Sequence, residues 1–264
     1  MKNAIVFSAS SGIGYVLCLR LLQEDYTVYG TYNNYSKDVD KLKSLDVKLY
    51  KCNLLVDEEL DKLISQLKKD VIVWNSLYLL QATMNPIGCL IDLDMKLWEE
   101  SIKLNFINQI KIIQGLLESR SKDMTSNVVT FAGGGTNSAV KNFSAYTVSK
   151  IALIKMMELL YEEYNDTKFT CIGPGWVDTK IHNETILAKE SAEEAYIQTV
   201  KHIENNIFTP VDDVVNCIMW LENSSKEEVS GRNFSVAYDE WDSELLSKNL
   251  VSDPDMYKLR RKGN

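Results

Sequence analysis

Short, almost wholly apolar stretches alternate along the chain with longer stretches in which apolar residues recur every three or four positions. The first kind suits strands buried on both faces, and the second suits helices that cover them. On this pattern strands are expected near residues 3–7, 27–31, 47–52, 70–74, 127–131, 168–173 and 233–237. Helices are expected near 12–24, 38–44, 57–69, 95–121, 145–164, 189–205 and 211–223. The alternation predicts an α/β fold, a doubly wound parallel sheet of about seven strands with helices on both faces, as one domain over residues 1–264. Irregular stretches are expected at 132–144, at 174–188 and beyond Tyr238. The first two follow strand ends, where an open α/β sheet places its ligand crevice.

Composition narrows the function. A hydrophobic content of 45% over 264 residues fills one core, and no repeat or Pro/Gly-rich linker divides the chain. A formal charge of −8 argues against nucleic acid as a partner. Cys18, Cys52, Cys89, Cys171 and Cys217 lie too far apart for a dithiol or zinc motif, which fits a reducing cytoplasm. His182 and His202 are the only histidines, so they are read as surface residues and no metal centre is expected. No apolar run suits a membrane span or a signal-peptide core, so a soluble, unexported protein without a membrane partner is expected.

The first strand runs into Ser8-Ala9-Ser10-Ser11-Gly12-Ile13-Gly14 and then a helical pattern. Without a Cβ, Gly12 lets a phosphate approach the backbone and Gly14 lets helix and sheet pack closely. The free N–H groups and positive end of the helix then face the anion. Further on, Ser144-Ala145-Tyr146-Thr147-Val148-Ser149-Lys150 opens a long helix, and the i, i+4 spacing puts phenol and ammonium on one face. A nearby cation lowers a phenol's pKa toward the range useful for proton transfer. Tyr164 and Lys168 repeat the spacing, but they straddle a helix end and a strand start, away from the ligand side.

With these motifs in order the chain resembles the short-chain dehydrogenase/reductase family over essentially its full length, which implies a Rossmann-type fold. Phe7 to Gly14 is similar to the family's TGxxxGxG turn, Asn105 to its active-site Asn, Tyr146 and Lys150 to YxxxK, and Pro174-Gly175 with Val177 and Thr179 to its PG segment. The resemblance implies a general acid or base in Tyr146, a ribose-binding and tuning role for Lys150, and a proton-relay role for Asn105. It implies cofactor contacts from Ser8, Ser10, Ser11, Gly12, Ile13, Gly14, Asn33, Asn34, Asn53, Leu54, Asn75, Tyr146, Lys150, Pro174, Gly175, Val177 and Thr179.

The departures from the family pattern are specific. Phe7-Ser8 replaces Thr-Gly, Asn53 stands where an acidic residue is expected, and Trp74-Asn75-Ser76-Leu77 is read as the counterpart of the Asn-Asn-Ala-Gly segment. The serine expected about thirteen residues before the tyrosine is missing, and Ala132-Gly133-Gly134-Gly135-Thr136 occupies that region. Thr136, ahead of Ser138, is the expected substitute donor to the substrate oxygen.

The reading is therefore an NAD(P)-dependent oxidoreductase moving a hydride between cofactor and a carbonyl or secondary alcohol. The alternative is a weakly active or inactive protein that binds cofactor for regulation or assembly. The Gly-rich loop, residues 231–239 and the basic Arg260-Arg261-Lys262 tail resemble family members of sugar and surface-polysaccharide pathways, implying a nucleotide-linked or phosphorylated sugar substrate. After the second strand Tyr32-Asn33-Asn34-Tyr35-Ser36-Lys37 offers no carboxylate to grip a ribose diol, which favours NADP(H), with NAD(H) the alternative. Residues 176–188 and the helix after them are expected to form a mobile lid, and the family pattern implies a homodimer or homotetramer.

Overall fold

A computed structural model describes residues 2–261. Its strands are β1 (Lys2–Phe7), β2 (Tyr26–Tyr32), β3 (Lys48–Lys51), β4 (Ser76–Leu79), β5 (Ser126–Phe131), β6 (Thr167–Gly173) and β7 (Asn233–Ser235). All pair in parallel, in the order β3-β2-β1-β4-β5-β6-β7. The α-helices are α1 (Gly12–Gln23), α2 (Lys37–Ser44), α3 (Asp57–Asp70), α4 (Met95–Ile102), α5 (Asn108–Leu116), α6 (Ser144–Glu163), α7 (His182–Ala188), α8 (Glu194–Glu204), α9 (Val211–Asn223), α10 (Lys226–Val229) and α11 (Glu244–Ser252).

Alternate strand residues feed two cores. Ala4 and Val6 pack with Leu17 of α1, Ile218 of α9 and Leu250 of α11, whereas Ile5 and Phe7 pack with Leu63 of α3, Ile112 of α5 and Met157 of α6. A strand covered on both sides has no polar face to show, so every residue of β4 is buried. The strand order turns between β1 and β4, and the chain leaves both at the carboxyl edge. That is the switch point where an open α/β sheet forms its crevice.

Several expected boundaries move. The strand placed at 70–74 lies at Ser76–Leu79, because α3 continues through Asp70 and the β-branched run after it is a connection. Ile72 and Val73 are exposed, while buried Trp74 donates its indole N–H to the Leu116 carbonyl at 2.7 Å. The helix expected over 95–121 passes from α4 through a π-helical turn, Lys103–Ile107, into α5. The helix expected at 189–205 begins earlier, as α7, and left-handed residues Lys189 (φ 45°) and Glu193 (φ 47°) lie between it and α8.

The region beyond Tyr238, expected to be irregular, contains α11. The buried Arg232 guanidinium holds its end by donating to the carbonyls of Leu250, Asp253 and Met256. Arg260 pairs with Glu158 at 2.7 Å and Asp255 at 2.8 Å, so it is tied down, and Lys262 lies outside the described residues. The Lys168 ammonium donates to the carbonyls of Leu221, Glu222 and Ser224 and closes the end of α9, which gives the Tyr164–Lys168 spacing a purely structural use. Among the described residues no helix is long and apolar enough to cross a membrane.

The close fit of α1 on the sheet can be tested at one atom. A Cβ on Gly14 would lie 2.3 Å from the Ser8 carbonyl oxygen and 3.1 Å from Ala9 Cα, both backbone atoms. Gly14→Ala is expected to cost about 1–3 kcal/mol, seen in thermal melts as a fall of roughly 2–4 °C per kcal/mol. An unchanged melting temperature would refute this packing.

Candidate active site

The chain leaves β1 through Ser8, which takes the left-handed conformation (φ 62°) where the family turn has glycine. The Ser8 N–H donates to Thr31 Oγ1 at 3.0 Å, and the Ser11 hydroxyl donates to the Ser8 carbonyl at 2.7 Å. Ser11 also caps α1 by accepting the Gly14 N–H at 3.4 Å. Gly12 and Ile13 open the helix, and a Cβ on Gly12 would come within 3.1 Å of Thr179 Cγ2. The turn thus offers the amino end of α1 to an anion and is bounded on its far side by the segment after β6.

A cavity of about 330 Å³ runs from this turn along the carboxyl ends of β4, β5 and β6. Ser8, Ser11, Gly12, Ile13, Tyr146, Lys150, Pro174, Gly175, Val177 and Thr179 all line it, so the structure brings together most of the residues expected at the site. Lys150 is buried, and its ammonium donates to the Phe131 carbonyl at the end of β5 at 2.8 Å. It lies 5.7 Å from the centre of the Tyr146 ring. Burial pulls this lysine down to about 8.

The phenol behaves differently from the expectation. Burial and the negative charge of Glu184 push Tyr146 up to about 12, so Lys150 does not bring it down in this arrangement. Thirteen residues before Tyr146 stands Gly133, and a Cβ there would sit 2.3 Å from the Tyr146 hydroxyl oxygen. The phenol therefore fills the space that a serine side chain would need. Thr136 does not take over the serine's position: it lies outside the cavity lining, and its hydroxyl donates to the Gly133 carbonyl at 3.4 Å.

Asn105 is buried in the π-helical turn, and its amide clasps Thr83 twice. Its Oδ1 accepts the Thr83 N–H at 2.9 Å and its Nδ2 donates to the Thr83 carbonyl at 2.8 Å. Glu184 reaches the same loop from α7, accepting the N–H groups of Met84 and Asn85 at 2.6 and 3.0 Å and the Thr83 hydroxyl at 3.0 Å. The segment expected as a lid therefore carries a helix latched across the cavity. Trp176 forms its base, its ring stacked between His182 and His202 at 4.2 Å on each side. Both histidines are half-buried and pack on Trp176, and His182 lines the cavity.

Other expected contacts lie elsewhere. Asn75 precedes β4, at the opposite edge of the sheet, where its Oδ1 accepts the Asn3 N–H at 2.9 Å. The loop that does leave β4 on the cavity side is Leu80-Gln81-Ala82-Thr83, and Leu80, Gln81 and Ala82 line the cavity. These residues and Glu184 are among the lining residues not expected from the sequence, as are Phe131, Lys180 and His182. Asn33 and Asn34 follow β2, exposed and outside the cavity lining. After β3, the Asn53 side chain accepts the Leu55 N–H at 3.1 Å and the Leu54 carbonyl accepts Asn108 Nδ2 at 2.6 Å. Ser10 lies in the phosphate turn but outside the lining.

A doubly wound sheet with a phosphate turn after β1 and a Tyr–Lys pair after β5 defines a nucleotide-dependent oxidoreductase class. The family model described as short chain dehydrogenase matches residues 2–190, and the chain belongs to that family. The family uses NAD(P). A rat relative, dehydrogenase/reductase SDR family member 6, is 21% identical over 233 residues, covering 87% of this chain and 93% of the relative. A short-chain dehydrogenase/reductase structure from Saccharomyces cerevisiae matches with a TM-score of 0.80 at 21% identity, over 94% of this chain and 99% of that one. A short chain dehydrogenase from Shigella flexneri 2a, complexed with NADP, matches with a TM-score of 0.73 at 17% identity, over 89% and 97% of the two chains.

The crowding at Gly133 makes a counter-intuitive prediction. Restoring the family residue with Gly133→Ser should harm the site, because the new Cβ must displace the Tyr146 ring. Turnover is expected to fall roughly 10²-fold with cofactor affinity nearly unchanged. A rise in turnover, measured by steady-state kinetics, would show that the phenol and a serine coexist there.

Proposed function

We propose that the protein reduces a carbonyl to a secondary alcohol, with NADP(H) favoured over NAD(H) and Tyr146 giving the proton. One observation carries the reading: the phosphate turn, the 174–179 segment, Tyr146 and Lys150 all face one cavity. The residues present suit a dinucleotide, since the amino end of α1 can receive phosphates while the buried Lys150 ammonium has donors left for a ribose. When bound, the nicotinamide supplies the hydride. A phenol held near 12 keeps its proton at neutral pH, which suits an acid in reduction better than a base in oxidation.

With Gly133 in the serine's place, the carbonyl oxygen is assigned to the Tyr146 hydroxyl, and Thr136 to bracing the Gly-rich loop. Asn105 is assigned to holding the Thr83 loop, to which the lid is latched through Glu184. The alternative, a cofactor-binding protein with little turnover, is favoured by the same Gly133. The substrate is read as polar and sugar-linked, in keeping with Lys180, His182 and Glu184 in the lining. The Glu184 carboxylate near Tyr146 disfavours an anionic group beside the reacting carbon, so any phosphate would lie at a distance from it. Exposed Leu97, Ile107, Val148 and Leu159 on the α4–α6 side support a homodimer or homotetramer. Unpaired cysteines, four of them buried, support a reducing compartment such as the cytoplasm.

Two substitutions test the assignment. Tyr146→Phe is expected to abolish reduction across a panel of aldehydes, ketones and sugars while leaving cofactor affinity nearly intact. Lys150→Ala should weaken both. Because burial depresses the Lys150 pKa, its charge is lost as pH rises through about 8. Reductive turnover should therefore be level at neutral pH and fall above that point. Full activity of Tyr146→Phe would overturn the mechanism, and cofactor binding without turnover on any panel member would favour the alternative.

Cofactor choice is tested separately. Asn33 and Asn34 are exposed after β2, and Ser36 and Lys37 stand at the start of α2 with no carboxylate among residues 32–37. Isothermal titration is expected to show tighter binding of NADPH than NADH, and a wild-type preference for NADH would overturn the assignment.

A further inference from the structure

We propose that the substrate is a short, uncharged hydroxycarbonyl compound of triose size, with phosphorylated and nucleotide-linked sugars excluded by the volume of the cavity and by Glu184. The inference rests on the reductase reading above and narrows its sugar-related substrate to the smallest free members. Volume sets the first limit. Pockets for drug-sized ligands span about 300–1,000 Å³, and the cavity here holds about 330 Å³. On the cofactor reading that space is shared. The lining runs from Ser11 and Gly12 of the phosphate turn past Lys150, so the nicotinamide and its ribose take up most of it. What remains for a substrate is the end bounded by Tyr146, Met84, Ile181, His182 and Glu184.

That end is backed by a small apolar core of its own. Met84, Ile87, Phe143 and Ala192 are buried together, and Tyr146 and Ile181 pack against them. Hydrogen bonds join the wall segments around this core. The Gly88 N–H donates to the Asn142 carbonyl at 2.8 Å, the Thr185 hydroxyl donates to Met84 Sδ at 3.8 Å, and Glu184 accepts the Met84 and Asn85 N–H groups. A nucleotide carried on the substrate has no room past Tyr146 unless this packing is broken, and close-packed side chains yield little space without cost.

Charge sets the second limit. Glu184 Oε2 accepts the two N–H groups, and the Thr83 hydroxyl lies 3.1 Å from Oε1 and 3.0 Å from Oε2. Held in this way, the carboxylate cannot swing aside for an incoming anion, and a fixed like charge is how a site rejects a wrong partner. The two lysines of the lining do not cancel it there. Lys150 is committed to the Phe131 carbonyl and, on the cofactor reading, to a ribose, while Lys180 is exposed. A carboxylate has about four acceptor sites, so after its bonds to Thr83, Met84 and Asn85 Glu184 has capacity left for a hydroxyl on the substrate.

Two matched pairs test the limits separately, with NADPH as the reductant. Dihydroxyacetone is expected to exceed dihydroxyacetone phosphate in kcat/KM by roughly 10²-fold. Hydroxyacetone should exceed 1-hydroxy-2-octanone, which has the same reacting end and a longer chain, by roughly tenfold or more. Isothermal titration of the NADP+ complex with the first pair reads the same discrimination without turnover. Glu184→Gln keeps the shape of the side chain and removes its charge, so the first gap should shrink to about tenfold or less while the second stays. Thermal melting shows whether that variant is intact, and if it is not, the wild-type ratios decide alone. The proposal is overturned if wild type handles the phosphate or the octanone as well as its partner, or if an intact Glu184→Gln leaves the first gap unchanged. Reduction of UDP-4-keto-6-deoxyglucose but of none of the short compounds would overturn it and leave the reductase reading standing. Cofactor binding without turnover of any of these compounds would overturn it in favour of the non-catalytic alternative. If wild type binds neither NADPH nor NADH, the cofactor reading itself fails and this inference falls with it.

Discussion

Burying an ammonium is costly unless its donors are met, and in this protein the Lys150 cation is sunk between α6 and the end of β5. The Phe131 carbonyl takes one of its donors at 2.8 Å. That bond fixes the start of α6 against the edge of the sheet, and with it the first helical turn that carries Tyr146. The remaining donors point the function of the cavity toward polar ligand groups, because a buried lysine left with unused donors is an expensive feature to keep. The phosphate turn, the glycine loop and the lid are arranged around this fixed corner.

Burial and the negative charge of Glu184 on α7 both resist ionisation of the phenol. Together they keep the proton on Tyr146. Glu184 is held beside the site by its bonds to the loop after β4, so the field at the phenol depends on that contact between α7 and the loop.

The chain shows its sheet clearly because strands covered on both faces leave unbroken apolar runs, and the phosphate turn and the Tyr146–Lys150 pair follow from local spacing. The fourth strand misled for the same reason. Residues 71–74 and 77–80 are both apolar, and only the tertiary contacts show that Ile72 and Val73 are exposed while Leu77 and Leu79 are core. That shift of a few residues exchanged Asn75 for Gln81 at the cavity, since the side chains that leave a strand's carboxyl end depend on where the strand stops. Glu184 and the Trp176 stack could not be read from spacing, because their partners are distant in sequence: Glu184 meets residues 83–85, and Trp176 meets His202.

Gly133 lies directly against the phenol. The family pattern places a serine there to share the substrate oxygen with the tyrosine, and in this chain the tyrosine has moved into the space instead. A glycine at 133 is therefore more than a deletion of a donor. It admits the phenol to within 2.3 Å of where a Cβ would stand, and the neighbouring Gly135, at φ 100°, and the Thr136 bond to the Gly133 carbonyl hold the loop around it. In the proposed reduction a single hydroxyl would meet the reacting oxygen, and polarisation of the carbonyl would depend on how tightly the phenol is positioned. The bonds from Glu184 to the loop after β4 and the anchored Lys150 hold the two walls of the cavity around the phenol.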